Sequence, residues 1–189
     1  MEHSPGRAAR RKRRSQPAAV RAATPLGEAP RDQPGGVAIG ARRRARELAL
    51  GVLFRLETTQ TEITDLPAEL DSTLALMASQ WEMPSSELRK LRREIVGFAL
   101  RLVQTFRQHQ EEIDRRIAEL AEGWALDRMP TVDRNVLRIA LTEVLYFGDV
   151  PTAASIDEAV DIAKTYSTED SGKFVNGILG TLARTTVSA

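Results

Sequence analysis

Apolar side chains recur at intervals of three and four residues over most of the chain. The clearest example is one continuous stripe formed by Ala45, Leu48, Ala49, Val52, Leu53 and Leu56. Residues at this spacing lie on one face of an α-helix, where they are buried together while polar residues face water. The pattern therefore predicts a first helix over residues 41–57.

The same spacing predicts six further helices. They are expected over residues 66–80, from Ser85 or Ser86 to about Gln108, over residues 111–121, from Pro130 to a stop at Gly148, and as two short helices within residues 150–182. Apolar positions occupy several sides of the fifth helix, so we expect it to be a central, mostly buried strut. Nothing alternates with the period of two that is typical of a half-buried strand. The expected fold class is all-α, a bundle of about seven helices.

Capping signals are expected to define three helices. Ser85 or Ser86 is expected to cap the third. Ser155 and Glu158 have the spacing of a capping box at the start of the sixth helix. Thr168 or Asp170 is expected to cap the seventh. Arg134, near the start of the fifth helix, is expected to pair with a carboxylate elsewhere in the fold.

A polar corner over residues 167–170 joins these two helices, and Lys173 and Phe174 follow one turn later. A corner that carries acid, base and aromatic groups is a plausible recognition surface. An ordinary capped turn over a core phenylalanine explains the same residues, so the pattern leaves both interpretations open. Trp124, in an earlier loop, is expected to plug the core, with a stacking platform as the alternative.

Charge divides the chain into two parts. Residues 1–46 hold twelve Lys/Arg and three Asp/Glu, a net charge of +9. Residues 47–189 hold fifteen Lys/Arg and twenty-three Asp/Glu, a net charge of −8. Residues 1–40 are rich in Pro, Gly and Arg and poor in apolar residues, which predicts a disordered basic tail before a domain over residues 41–189. An electrostatic clamp on nucleic acid, a solvated tail and an organellar transit peptide remain alternatives for the tail, although a transit peptide would need an amphipathic face. A secretory signal is not expected, because no apolar segment follows the basic residues.

Four arginines stand at the start of the predicted first helix: Arg42, Arg43, Arg44 and Arg46. A helix N-terminus favours acids by about 0.3–1 kcal/mol each, so this placement is unfavourable and the like charges also repel. Guanidinium groups match phosphate in bidentate geometry. The cluster therefore predicts a phosphate-bearing partner.

No catalytic machinery is visible in the sequence. There is no cysteine, only two histidines (His3 and His109), no phosphate-binding glycine loop and no metal or nucleophile motif. We therefore expect a binding protein without enzymatic activity, cofactor or metal. No apolar run is long enough to predict a membrane span, and the lack of cysteine fits a reducing, cytoplasmic location.

Three motifs together resemble the NusB family of bacterial transcription antitermination factors. They are Ala41-Arg-Arg-Arg-Ala-Arg-Glu-Leu-Ala49, Val132-Asp-Arg-Asn-Val-Leu-Arg-Ile-Ala-Leu141, and the segment from Asp149-Val-Pro151 to Gly177, with Glu169-Asp-Ser-Gly-Lys-Phe-Val-Asn-Gly177 at its end. The resemblance spans roughly residues 41–184, although residues 58–130 match only as a helical pattern.

The resemblance implies two packed helical subdomains and no enzymatic activity. It also implies binding of the single-stranded boxA element of ribosomal RNA together with NusE, the ribosomal small-subunit protein, in an RNA polymerase complex with other Nus factors. The positions that match the family's RNA-contacting residues are Arg42, Arg43, Arg44, Arg46, Asp170, Lys173 and Phe174.

Some features depart from the family pattern or leave alternatives open. Phe54 and Leu56 stand where relatives often have Tyr and Trp, and Gly172 replaces a common His. One alternative is a protein-binding scaffold. The other is a detached substrate-binding arm, because similar domains form the N-terminal part of ribosomal RNA cytosine methyltransferases. The resemblance leaves open whether the chain forms a homodimer or a heterodimer with NusE.

Overall fold

The computed structural model describes Met1 and residues 37–60 and 63–187, with no account of the side chains at 37–39 and 185–187. Seven α-helices fill the described part: α1 (Val37–Thr59), α2 (Leu66–Gln80), α3 (Ser85–Gln108), α4 (Gln110–Leu120), α5 (Thr131–Tyr146), α6 (Thr152–Tyr166) and α7 (Ser171–Val187). A single 3-10 turn, Leu126–Arg128, lies before α5, and no strand occurs in these ranges. The all-α prediction is confirmed, whereas the predicted tail lies mostly outside the described residues.

The chain divides into two units, Met1–Asp32 and Gln33–Ala189, and every described helix belongs to the second. Within that unit, α1 packs against α2, α3 and α5, while α6 packs against α5 and α7. The apolar stripe predicted for the first helix is buried from Ala45 to Leu53. None of the described helices is long and apolar enough to cross a membrane.

The expected burial of the fifth helix is confirmed. Every residue of α5 from Asp133 to Glu143 is buried, including its charged ones. Arg134 pairs with Glu57 of α1, as predicted, and also donates to the carbonyl of Leu126 at 2.7 Å. Buried charges are stable in such a helix when they are paired and hydrogen-bonded, so these contacts fasten α5 to its neighbours.

Two predicted side-chain caps are wrong, and proline is the reason in both. The sixth helix begins at Thr152, directly after Pro151, so Ser155 lies inside the helix and is buried. Similarly, Pro84 precedes α3, and no side chain caps its first turn. A proline holds its own φ near the value needed to enter a helix and stops the preceding residue from extending that helix. The start is thereby set without a serine cap.

The prediction that Trp124 plugs the core is also wrong. Trp124 is 55% exposed, although Met129 in the same loop is only 3% exposed. Gly123 adopts φ +83 in the turn that ends α4, a conformation that glycine adopts at no steric cost. The chain reverses at that glycine, and the indole that follows it lies on the surface.

Candidate nucleic-acid interface

Arg43, in the first turns of α1, lies in a network of ion pairs. Its Nε donates to Oε1 of Glu47 at 2.8 Å, and its NH1 donates to Oε2 of Glu158 at 3.3 Å. NH2 donates to Oγ1 of Thr165 on α6 at 3.4 Å. Burial opposes the charge of Arg43, but the hydrogen bond and charge of Glu47 outweigh it, with help from Glu158, and raise the pKa of Arg43. Arg43 is therefore held as a cation against the end of α6.

Arg44 connects the start of α1 to an aromatic pair. Its NH1 donates to Oε2 of Glu47 at 2.9 Å, and its guanidinium lies 5.0 Å from the ring centroid of Trp81. The Trp81 Nε1 in turn donates to the hydroxyl of Tyr166 at 3.4 Å. Burial, followed by the charge of Glu47, raises the pKa of Tyr166. The indole and the phenol thus bring α1 and the last turn of α6 together.

Arg46 differs from its neighbours because it is buried. Its Nε and NH2 donate to the two carboxylate oxygens of Glu143 at 2.8 and 2.6 Å. The side chain of Arg46 is 5% exposed and that of Glu143 is 0% exposed. This bidentate pair joins α1 to α5 inside the protein, so the structure places the Arg46 guanidinium away from any surface ligand.

Arg42 points away from the other arginines, toward α3. Its NH2 lies 3.3 Å from Oδ2 of Asp149, and its guanidinium lies 5.1 Å from the ring centroid of Phe98. About a third of the Arg42 side chain is exposed, compared with about a quarter for Arg43 and Arg44. All three can therefore meet a ligand at the surface while keeping an internal partner.

The internal partners explain how a helix tolerates these charges at its start. The four arginines face four acids, which are Glu47, Glu143, Asp149 and Glu158. Glu47 is visible in the sequence because it lies three and four residues after two of the arginines. The other three acids are about a hundred residues away along the chain, and no local pattern links them to α1.

The corner between α6 and α7 presents the second predicted group. Asp170 directly precedes α7, and its Oδ1 lies 3.3 Å from Nζ of Lys173, with both side chains 86% exposed. Phe174 is half-buried, and its ring centroid lies 5.6 Å from that of Trp124 with the planes tilted by 58°. Cation, anion and aromatic surface therefore stand side by side at this corner.

A buried hydroxyl fixes the geometry of the corner. Ser171 donates to Oδ2 of Asp133 at 2.9 Å and accepts the backbone N–H of Thr168 at 3.2 Å. Asp133 is 2% exposed and lies in the first turn of α5. Because this bond joins the start of α7 to a buried helix, it holds the exposed side chains in place.

The fold brings most of the predicted residues to one end of α6. Arg43 contacts Thr165, and Arg44 reaches Tyr166 through Trp81, while the polar corner begins at the next residue. Arg42 faces α3 instead, and Arg46 is internal. Phosphate-binding cations, stacking rings and polar groups for base edges are the components with which proteins bind single-stranded RNA.

Two tryptophans extend this surface: Trp81, which the prediction did not include, and Trp124, which it named only as an alternative stacking platform. Trp81 lies beneath Arg44, and the exposed Trp124 lies beside Phe174. Gly123 before Trp124 was the local signal that could have indicated its exposure, whereas the contacts of Trp81 depend on residues far along the chain. Among the described residues, no three His, Cys, Asp or Glu side chains cluster in a way that could hold a metal ion.

Comparison with known proteins shows the family to which the chain is similar. The family model described as the NusB family matches residues 43–184. The chain is 43% identical over 144 residues to the transcription antitermination protein NusB of Symbiobacterium thermophilum. The aligned region covers 76% of this chain and 90% of that protein.

Solved structures agree with that match. NusB of T. maritima superposes with a TM-score of 0.57 at 37% identity, covering 76% of this chain and 90% of that chain. A chain from a crystal structure of the antitermination factors NusB and NusE in complex with dsRNA superposes with a TM-score of 0.60 at 25% identity. That match covers 78% of this chain and 98% of the other.

Proposed function

Because the chain belongs to the NusB family of transcription antitermination proteins, we propose that it binds the boxA element of ribosomal RNA transcripts together with NusE. This binding would support transcription of ribosomal RNA operons. Family membership confirms the resemblance predicted from the sequence motifs and the expectation of a non-enzymatic protein.

The observation that carries the proposal is the meeting of Arg43 and Arg44 with the α6–α7 corner. A single strand of RNA offers phosphates along one side and unstacked bases along the other. The arginines against the end of α6 suit the phosphates, and the aromatic pair of Phe174 and Trp124, at the start of α7, suits the bases.

Each predicted residue has a distinct role in the proposed complex. Arg42, Arg43 and Arg44 bind phosphates, while Asp170 and Lys173 contact base edges and backbone. Phe174 stacks on a base, and Trp124 extends its aromatic surface; such stacking contributes about 1–3 kcal/mol per base.

Arg46 takes part indirectly. Since its guanidinium is committed to Glu143 in the interior, we assign it the positioning of α1 and its three exposed arginines rather than contact with RNA. Replacing it would weaken RNA binding by disturbing the helix that carries the neighbouring arginines.

The relevant partner in the proposal is NusE. The solved complex contains NusB and NusE with dsRNA, and that precedent supports a heterodimer here. An RNA polymerase elongation complex with other Nus factors would be the larger assembly. A homodimer is the alternative arrangement when NusE is absent.

We further propose that residues 41–189 form the RNA-binding domain and that residues 1–40 serve as a basic arm, whose last four residues, 37–40, continue into helix α1. The family match begins at residue 43, close to the first arginines of α1. A positive arm adds attraction to RNA that does not depend on base sequence.

The test is fluorescence anisotropy of a labelled boxA-like RNA with and without NusE. The variant Arg43→Ala/Arg44→Ala/Phe174→Leu removes two phosphate contacts and the ring while keeping an apolar side chain over the core. The matched control, Arg107→Ala/Arg115→Ala, removes two exposed cations from α3 and α4 instead. A scrambled RNA measures the part of binding that ignores sequence.

We expect selective binding that NusE strengthens, a loss of at least tenfold in the triple variant, and little change in the control. Equal affinity of the triple variant and the wild type would overturn the site assignment. Weak binding that ignores both RNA sequence and NusE would favour a protein-binding scaffold instead.

A further inference from the structure

A second positively charged surface lies mostly outside the residues assigned so far and shares only Arg42 with them. It is an open cleft of about 530 Å³ between the start of α1 and the outer face of α3. Its charged and aromatic lining consists of Arg42, Lys90, Arg93, Glu94, Phe98 and Arg101. Arg42 is shared with the proposed RNA site, so the cleft continues that surface along α3.

Aromatic rings and one acid hold two of the cations in place. Arg42 and Arg101 bind the two oxygens of Asp149 at 3.3 and 3.0 Å. The Arg101 guanidinium lies 3.7 Å from the ring centroid of Phe147. The hydrogen bond from Arg101 lowers the pKa of Asp149. One carboxylate thus positions two guanidinium groups, each of which keeps unused donors.

The other two cations of the cleft have no such partner. Lys90 and Arg93 are exposed, and neither forms an ion pair with any residue of the described ranges. They lie three residues apart on one helix, where like charges repel each other. Four cations therefore share the cleft with Glu94, and Asp149 pairs with two of them. Three of the four belong to the region from residue 47 onward, whose net charge is −8.

A purely solvated helix face explains this arrangement poorly. Such faces usually alternate positive and negative residues, and those pairs stabilise the helix. Lys90, Arg93 and Arg101 instead share one stripe, about 16 Å long at 1.5 Å per residue. The concentration of one sign in an otherwise acidic body indicates a polyanionic partner.

We propose that this cleft binds backbone phosphates of the RNA strand beyond the segment held by α1 and the α6–α7 corner. The inference rests on the proposed RNA-binding function and extends its site. The cleft is open and its α3 cations extend over about 16 Å of helix, which suits a phosphate backbone better than a single small anion. Glu94 lies in the same cleft and opposes binding through its charge.

The first experiment compares Lys90→Ala/Arg93→Ala with the control Arg107→Ala/Arg115→Ala. Both variants lower the net charge by two, and all four side chains are exposed, so the fold tolerates either change. The probe is a labelled single-stranded RNA with a boxA-like sequence and flanking nucleotides. We expect the cleft variant to bind on the order of tenfold more weakly, with a salt slope smaller by about 1.4 for two lost contacts. The control should change far less.

The second experiment asks for a gain rather than a loss. Glu94→Gln removes the opposing acid, and Glu111→Gln removes an exposed acid from α4 as its match. We expect RNA affinity to rise severalfold for Glu94→Gln alone. Such a gain cannot come from a damaged fold.

The outcomes separate this inference from the proposed function. If the wild type binds RNA and the triple variant does not, but the cleft and control variants behave alike, the cleft proposal fails and the proposed function stands. If the cleft variant loses NusE and keeps RNA, the cleft is a protein contact and the proposal is overturned. If the wild type itself fails to bind RNA selectively, the proposed function fails.

Discussion

At the scale of single residues, the arginines of α1 show what a sequence can and cannot reveal. The four arginines look equivalent in the sequence, and their number correctly directs attention to the start of the helix. Burial separates them, because Arg46 meets Glu143, which lies 97 residues away along the chain. A partner that distant follows from the packing of α1 on α5, which no local pattern encodes.

Removal of the buried arginine should damage stability far more than removal of an exposed one. Arg46→Ala leaves the buried carboxylate of Glu143 unpaired, which we expect to cost about 3–5 kcal/mol. Arg44→Ala breaks a partly exposed pair and should cost less than about 1 kcal/mol. Urea unfolding followed by circular dichroism measures both. Equal midpoints for the two variants would contradict the burial of this pair.

A tyrosine on α5 gives a prediction about pH. Burial, followed by the hydrogen bond and the charge of Glu112, raises the pKa of Tyr146 to about 12 from an ordinary value of 10.0. The folded state therefore holds the phenolic proton more tightly than the unfolded state does. The associated stability is complete below pH 10.0 and is lost as the pH rises toward about 12.

Phenolate absorbance measures this directly. The chain has two tyrosines, so the variant Tyr166→Phe keeps Tyr146 as its single tyrosine and can be titrated without overlap. The additional change Glu112→Gln should lower the pKa of Tyr146 toward its ordinary value. An identical titration curve with and without the Glu112 carboxylate would show that this acid does not act on the phenol.

At the scale of elements, helix existence was easier to predict than helix ends. The second helix has the predicted bounds, because its apolar spacing and its proline agree. The third helix begins at the predicted Ser85 but has no serine cap, and the sixth begins three residues before the predicted Ser155, because a proline precedes each helix. The exposure of Trp124 was not predicted. The turn at Gly123 precedes it, and the apolar character of a side chain does not tell whether it points to the core or to the solvent.

Two glycines of α7 should respond differently to alanine. A Cβ at Gly177 meets nothing within 4 Å, so Gly177→Ala should stabilise the helix by about 0.5–1 kcal/mol. At Gly172 the new atom would lie 2.7 Å from Cγ of Lys164. Gly172→Ala should therefore bring no such gain, since the lysine must move away.

Thermal unfolding of the two single variants and of Gly172→Ala/Lys164→Ala tests this. Shortening the lysine removes the clash, so alanine at 172 should become favourable by about 1 kcal/mol in that background. If Gly172→Ala stabilises the wild type as much as Gly177→Ala does, the contact between residue 172 and Lys164 does not offset the gain from alanine.

At the scale of the whole molecule, the all-α class and the family followed from periodicity and three motifs. The assembly of the site from α1, α5, α6 and α7 did not, since it requires contacts across more than a hundred residues. The stripe of cations along α3 can be read from the sequence, but its continuity with Arg42 becomes visible only after α3 packs on α1.

The division of charge along the chain predicts how the basic segment contributes. Residues 1–36 carry eight Lys/Arg and three Asp/Glu. We expect their removal to weaken binding to boxA-like and scrambled RNA by the same factor and to reduce the salt slope for both. The unfolding temperature of the remaining domain should stay unchanged. A selective loss of boxA-like binding would instead place sequence recognition in the arm.

The acids that accompany the α1 arginines have a thermodynamic consequence for RNA binding. When a phosphate meets Arg43 or Arg44, it competes with Glu47 or Glu158 for the guanidinium. Cations condensed on the RNA are still released, but part of an existing ion pair is given up, so each such contact contributes less net binding free energy. A polyanion without bases would displace the carboxylates already in place only weakly. A strand whose bases also stack on the aromatic corner would displace them more strongly. The acids paired with the arginines would thus compete with phosphates and favour RNA strands that also make base contacts.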